Sequence, residues 1–120
     1  YYVDVRFDQV AAVFPRVGAE LFDTGVNMGQ EIAARFLQRA LNLLNRQASA
    51  WPDIKVDGNI GQMTIQAARS LRDARGARGE TVLLKALDGF QTCRYAEITE
   101  ARPANEDFFF GWLDNRIGQA

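Results

Sequence analysis

Glu20 and Asp23 are three residues apart, a spacing that could bring two carboxyl groups to one substrate. Enzymes that hydrolyse glycosidic bonds need two carboxyls about 5–9 Å apart, one of them with a raised pKa. Side chains three apart on a helix face the same way, so a glycosidase pair is one interpretation. The simpler interpretation, which we prefer, is a capped or solvated helix edge.

The remaining groups that could do chemistry have structural explanations. Ser49 and Ser70 are the only serines, and the chain has no histidine to activate either hydroxyl. Cys93, the single cysteine, falls on the apolar positions of a predicted helix and is expected to be a buried, inert thiol. Since histidine is absent and cysteine occurs once, we expect no metal and no cofactor, and a disulfide within the chain is excluded.

The residue types needed for sugar recognition are present in this chain. Sugar recognition combines aromatic faces with hydrogen bonds from amides or carboxylates. The predicted substrate-binding residues are Asn27, Gln91, Tyr95, Trp112 and Asn115. For Asn27, which lies in the stretch "GVNMG", capping of backbone groups near a helix end is the alternative. Trp112 lies on an apolar stripe, and for this residue we prefer packing in the core to a role in sugar binding. The Tyr95 hydroxyl is expected at the rim of a groove.

Four arginines recur at three-residue intervals: Arg69, Arg72, Arg75 and Arg78. They could bind an anionic polymer such as a teichoic acid, but a solvated face balanced by Asp73 and Glu80 is the preferred interpretation. The net charge is −1, and no run alternates aromatic and basic residues. We therefore expect no nucleic-acid partner.

Helical spacing of apolar residues runs through most of the chain, so the sequence predicts an all-α fold. The pattern that begins at Asp8 is interrupted by Pro15, which predicts one helix before the proline and a second over residues 15–28. The stretch "QEIAARFLQRALNLLNR", residues 30–46, predicts an amphipathic helix.

Further helices are predicted after residue 60, over residues 80–100 and after Asn105, with a loop at "RDARGARGE", residues 72–80. Together these elements make a compact bundle of five to six helices. No apolar run approaches the roughly 20 residues that a membrane-spanning helix needs, so no span is expected.

Residues 10–28 carry apolar side chains on nearly every side of the predicted helices, with Gly18 and Gly25 on one face. The two glycines predict the close approach of a neighbouring helix. A helix that is apolar nearly all round must be buried on most of its sides. We therefore expect a homo-oligomer whose contact includes residues 3–28.

The stretch "VDGNIGQMT" predicts a tight turn between two helices. Asp57 and Asn59 are turn formers, and Gly58 can take a positive φ at no steric cost, so that Ile60 points into the core. A calcium-binding loop is the sharper alternative, but its required glycine is misplaced and Ala68 stands where the twelfth-position acid belongs. The turn is therefore interpreted as setting the angle between the helices.

The longer stretch "VDGNIGQMTIQA" resembles the Val-Asp-Gly-x-Ile-Gly-x-x-Thr-x-x-Ala signature of small helical peptidoglycan-binding domains. Four more blocks accompany it: "ELFDTGVNMG" at 20–29, "FLQRALNLL" at 36–44, "QTCRYAEI" at 91–98 and "FFFGWLDNRI" at 108–117. In this order the five blocks resemble glycoside hydrolase family 108, the lysozyme-like N-acetylmuramidases of phages and bacteria. The resemblance covers nearly the whole chain.

The resemblance has one departure, which concerns catalysis. The catalytic acid of that family is a glutamate in an N-terminal Glu-Gly-Gly-Tyr-type motif, and this chain contains no such motif. The resemblance implies that residues 1–29 are the last helices of a lysozyme-like domain, entered after the motif, and that residues 30–120 are a peptidoglycan-binding helical domain. No catalytic residue is assigned in this chain.

The function that the resemblance implies is recognition of peptidoglycan glycan strands, as the C-terminal part of a cell-wall muramidase. Its expected place is the bacterial cell envelope or periplasm, or the wall attacked by a phage-encoded enzyme, although no signal peptide is visible. The alternative is a non-catalytic helical binding protein or a secretion-accessory protein that does not act on the wall.

Overall fold

The computed structural model describes residues 6–45, 53–102 and 106–116, and in these ranges all regular structure is helical. The helices are α1 (Phe7–Val13), α2 (Pro15–Met28), α3 (Gln30–Leu43), α4 (Gln62–Ala101) and α5 (Glu106–Arg116). Helix α2 packs against α1 and α3, α4 packs across all three, and α5 contacts α4. The prediction of an all-α bundle is confirmed.

The break at Pro15 is confirmed, because α1 ends at Val13 and α2 begins at the proline. Proline suits the first position of a helix, where its missing N–H would have had no partner. A Cβ added to Gly18 would collide with the Cβ of Ala11, so this glycine lets α1 and α2 cross closely. The predicted close approach at the glycines is therefore confirmed for Gly18.

One hydrophobic core joins α1, α2, α3 and α4. Its fully buried side chains include Leu21 of α2, Leu37 of α3 and Leu83 of α4. The apolar segment 10–28 is thus covered mostly from within the chain. Phe22 is partly exposed and Val26 is 85% exposed. This exposed apolar surface is smaller than the surface from which the homo-oligomer was predicted. The homo-oligomer stays a prediction.

The predicted loop over residues 72–80 is wrong, because α4 continues through it and departs from helical geometry only at Gly76. The backbone there has φ 60° and ψ −142°, a conformation that glycine adopts without steric penalty. Five of the other eight residues of this stretch are arginine or alanine, which are good helix formers. Gly76 therefore divides α4 into a first arm, residues 62–75, and a second arm, residues 77–101.

Glu80, at the start of the second arm, is buried and closes the N-terminus of α2. Its carboxylate accepts hydrogen bonds from the backbone N–H groups of Arg16 at 2.9 Å and Val17 at 3.4 Å, and from the Arg16 Nε at 3.3 Å. The two backbone N–H groups lie in the first turn of α2 and have no acceptor within their own helix. A negative charge at this end of a helix is favourable. The four arginines of the predicted solvated face are exposed, and Asp73 pairs with Arg72 at 3.7 Å. The role predicted for Glu80 in balancing that face is wrong.

The turn before α4 is bound to α3 through Gln38. The Gln38 Oε1 accepts from the backbone N–H groups of Asp57 at 3.1 Å and Gly58 at 3.0 Å. Its Nε2 donates to the Asn59 carbonyl at 2.8 Å and to the Asp57 carboxylate at 3.1 Å. Gly58 has φ 79° and Ile60 is buried, so both predictions for the turn are confirmed.

Candidate binding groove

Two of the predicted sugar-binding residues, Asn27 and Gln91, are engaged by the protein itself. The Asn27 amide donates to the Asp23 carbonyl at 2.9 Å, which is the backbone contact considered as its alternative role. Gln91 is buried, and its Nε2 donates to the Glu20 carboxyl at 2.5 Å. These two amides lie in different environments and do not form one site.

The aromatic candidates form a stack where α5 meets the second arm of α4. The ring centroids of Tyr95 and Trp112 are 4.8 Å apart, and those of Phe108 and Trp112 are 6.2 Å apart. Trp112 is half-buried rather than in the core, whereas Tyr95 is buried and does not sit at a rim. Asn115 lies on α5, but its side chain is outside the described part of the structure. Whether these residues bind a substrate stays a prediction.

The interpretation of Glu20 and Asp23 as a solvated edge is wrong for Glu20, which is only 5% exposed. Burial raises the pKa of Glu20, the charges of Asp88 and Asp23 raise it further, and the hydrogen bond from Gln91 opposes the shift. A raised pKa is what a general acid needs, but the acid must also reach the glycosidic oxygen. Because Glu20 faces the interior and Asp23 the solvent, the two carboxyls do not address one substrate.

An open groove of about 420 Å³ lies between α3 and the second arm of α4, and we call it the α3–α4 groove. Phe36 of α3 and Phe90 of α4 meet in it with ring centroids 5.5 Å apart. Ile32 and Val56 extend this apolar lining. The groove therefore offers a largely apolar, aromatic surface at the junction of two helices.

Polar side chains also line the α3–α4 groove: Arg35, Arg39, Arg94, Glu97 and Cys93. The Arg39 guanidinium carbon lies 4.3 Å from the Phe90 ring centroid, the geometry of a cation–π contact. Arg35 is held differently, by the Val56 carbonyl at 3.2 Å and the Glu31 carboxylate at 3.3 Å. Within the described residues, neither Arg39 nor Arg94 forms an ion pair.

Sequence reasoning missed this groove because it extended the buried row of α4 wrongly. Leu83 and Leu87 belong to the predicted apolar stripe and are buried, but the stripe was continued through Phe90 and Cys93. Leu87, Gln91 and Tyr95 follow one another at four-residue spacing and face the bundle. The polar Gln91 hides that row in the sequence, so the row through Phe90 and Cys93 looked like the apolar stripe. The prediction of a buried Cys93 thiol is therefore wrong, since this side chain is exposed.

A comparison with protein families identifies the family to which this chain belongs. Residues 32–117 match the model of a family described as Predicted Peptidoglycan domain. The chain belongs to this family. The match includes every residue that lines the α3–α4 groove and the Gln38-bound turn, so this predicted peptidoglycan domain carries both. A search of curated proteins found no match to the chain.

The described residues of this predicted peptidoglycan domain contain neither a candidate membrane span nor a candidate metal site. None of its described helices combines the length and the apolar character needed to cross a membrane. In the same residues, no group of three or more histidine, cysteine, aspartate or glutamate side chains is placed to hold a metal ion. For a ligand, the described residues offer the α3–α4 groove and the aromatic stack between α4 and α5. They also offer a smaller pocket of about 160 Å³, lined by Leu44, Leu71, Arg75, Arg78, Gly79 and Val82.

Proposed function

We propose that the α3–α4 groove is the surface through which this domain binds peptidoglycan. The observation that carries the proposal is the Arg39 guanidinium, which is held over Phe90 and exposed to solvent. A groove of about 420 Å³ with an apolar lining and a few fixed polar groups is typical of ligand sites, which span about 300–1,000 Å³. Peptidoglycan combines apolar acetyl and alkyl groups with free carboxylates, and both find counterparts here.

The finer proposal is that the chain serves as the C-terminal part of a cell-wall muramidase. Five ordered blocks of sequence resemble such enzymes, and the matched family region begins at residue 32, close to the start of α3 at Gln30. This start supports the division into a lysozyme-like end, residues 1–29, and a wall-binding unit, residues 30–120. On this proposal hydrolysis depends on catalytic groups of the parent protein, and Glu20 is a structural acid. A turbidity assay on purified sacculi should then show no clearing by this chain; clearing abolished by Glu20→Gln would contradict the assignment.

A non-catalytic interaction protein is the second candidate, and the surface of α5 favours it. Phe108 is 58% exposed and Phe110 is 79% exposed. Large exposed aromatic side chains on one helix are typical of protein contacts. The two candidates differ in which surface matters, because wall binding would depend on Arg39 and a protein contact on Phe110.

Cosedimentation with purified sacculi tests the proposed function. We expect the wild-type chain to pellet with the sacculi and Arg39→Gln to bind about tenfold more weakly, the loss expected when a charge-assisted hydrogen bond is removed. Arg69→Gln is the matched control, because Arg69 is exposed on the first arm of α4 and does not line the groove. Failure of the wild-type chain to bind, or an equal loss in both variants, would overturn the proposal. Loss on Phe110→Ser alone would favour the interaction protein.

A further inference from the structure

We infer that the α3–α4 groove recognises the peptide stems of peptidoglycan through their free carboxylates, and not the glycan strand. This inference rests on the proposed function and adds the class of group that is bound. Three guanidinium groups and one carboxylate line the groove, so its local charge is positive although the whole chain has a net charge of −1. In intact peptidoglycan the lactyl carboxyl of muramic acid is joined to the peptide stem as an amide, so the glycan is neutral. The stems carry free carboxylates, so charge complementarity favours the peptide.

The aromatic rings of the groove are not available for stacking on sugars. The Arg39 guanidinium covers one face of Phe90 at 4.3 Å, and the Phe90 ring tilts against Phe36 at 5.5 Å. Phe36 itself is buried. A sugar-binding platform needs an open ring face, and these two rings instead pack against each other and against a cation. They build the site without being its recognition surface.

Arg39 is already positioned to bind a carboxylate. When a guanidinium stacks on a ring, its N–H donors point outward in the plane, where they can grip a carboxylate with two parallel hydrogen bonds. Arg39 has no carboxylate partner among the described residues, and the ring contact restricts its motion, so less side-chain entropy is lost on binding. Arg35 is different, because Glu31 and the Val56 carbonyl already occupy its donors.

The α4 side of the groove adds one cation and one anion that do not bridge each other. Arg94 and Glu97 are both exposed and lie three residues apart, so they project from one face of the helix. Arg94 has the same chemistry as Arg39, while Glu97 can accept an amine. A peptide stem that contains a diamino acid carries both an amine and carboxylates. The arrangement therefore suits a short zwitterionic peptide, with Arg39 and Arg94 on its carboxylates and Glu97 on its amine.

The experiment compares three probes: intact sacculi, soluble stem peptides released by an amidase, and the stripped glycan strands. Because the amidase frees the lactyl carboxyls of the strands, these groups are converted to amides before the binding measurement. We expect binding to the sacculi and to the soluble peptides, and little to the stripped strands. Calorimetry with the peptides should show about tenfold weaker binding for Arg39→Gln and for peptides whose carboxylates are converted to amides. Arg39→Lys should be only partly impaired, Arg69→Gln should match the wild type, and binding should weaken as salt is raised.

The outcomes separate the inference from the function on which it rests. Binding to stripped strands as tight as to sacculi, or equal affinity for amidated and free peptides, would overturn the peptide inference and leave peptidoglycan binding in place. Absence of binding to intact sacculi would overturn both. Because Arg39 is exposed, its variants should stay folded, and circular dichroism with a thermal melt checks this before the affinities are compared.

Discussion

Gln38 and Glu20 are both buried polar side chains on helices, and they satisfy burial in different ways. The Gln38 amide has a donor and an acceptor, and both are used by the turn over residues 57–59. An ionised Glu20 can only accept, and it faces one donor, Gln91, and a second acid, Asp88. The comparison shows that a buried amide can satisfy its hydrogen bonds at any pH. Two neighbouring acids can form a hydrogen bond with each other only when one of them is protonated.

Gln38→Leu should have the largest effect on stability. The leucine would leave the N–H groups of Asp57 and Gly58 without their acceptor in a buried place. An unsatisfied buried group costs about 1–3 kcal/mol, so the free energy of unfolding should fall by about 2–4 kcal/mol. Urea denaturation measures this loss.

Gln38→Glu sharpens the same test, because it keeps the acceptor but loses the donor and faces the Asp57 carboxylate. It should be intermediate in stability at neutral pH and recover in acid, where a carboxyl can donate. A Gln38→Leu protein as stable as the wild type would mean that the turn does not depend on this side chain.

Gly58→Val should have the next largest effect, a loss of about 1–3 kcal/mol, since a β-branched residue is strained at φ 79°. A Cβ at this position would also come within 2.5 Å of the Glu31 Cγ. Gly58→Asn should be milder because asparagine tolerates the left-handed region. Repeating both in a Glu31→Ala background would separate contact from backbone strain. Equal melting temperatures for the two variants would count against this account of the turn.

Glu20→Gln should change how stability depends on pH. Since the pKa of Glu20 is raised in the folded protein, the native state holds this proton more tightly than the unfolded chain. The resulting stability is present below the unfolded pKa, near 4.5, and is lost as pH rises through the folded pKa. A glutamine acts as a permanently protonated acid that can donate to Asp88. The variant should therefore gain about 0.5–1.5 kcal/mol at neutral pH and show a flatter pH profile.

Thermal melts from pH 4 to 8 would follow this change, with Asp23→Asn as the control. Asp23 is exposed and only one of the smaller causes of the Glu20 shift, so its variant should keep most of the wild-type slope. If wild type and Glu20→Gln lost stability in parallel as the pH rises, Glu20 would not be the titrating group.

Arg39→Gln should have the smallest effect on stability, below about 1 kcal/mol, the value of an exposed cation–π contact. Its pH profile should follow the wild type, because Arg39 pairs with no buried acid in the part of the chain that the structure describes. Denaturation in urea measures this change in the free energy of unfolding. A loss as large as that of Gln38→Leu would place Arg39 among the residues that hold the fold together and not among those that serve a ligand.

The parts of the fold that the sequence predicts well depend on local chemistry. Pro15 ends one helix and starts another whatever lies around it, and the stripe of α3 follows from its 3.6-residue period. The positive φ of Gly58 likewise follows from its neighbours Asp57 and Asn59, which are turn formers. In these places the cause and the structure lie within a few positions of each other.

The parts that sequence reasoning missed depend on residues far apart in the chain. Glu80 bonds α2 from a position 64 residues after Arg16, and Gln91 bonds Glu20 across 71 residues. Nothing near Gln91 shows that a polar residue belongs to the buried row of α4. Because the row was continued through Phe90 and Cys93 and not through Gln91, the α3–α4 groove, which lies on the neighbouring face, could not be found either.

The contact of Glu80 with α2 has a consequence for how this molecule can be inherited. A domain that is shuffled between genes must satisfy its own buried groups, yet Glu80 finds its N–H donors at Arg16 and Val17, upstream of the matched family region that starts at residue 32. Recombination that joined residues 30–120 to a foreign partner would remove these donors. The carboxylate would then have to be exposed to water or to meet a new helix start at the same place. Selection should therefore keep the two segments together as one heritable unit, although their sequences suggest two modules.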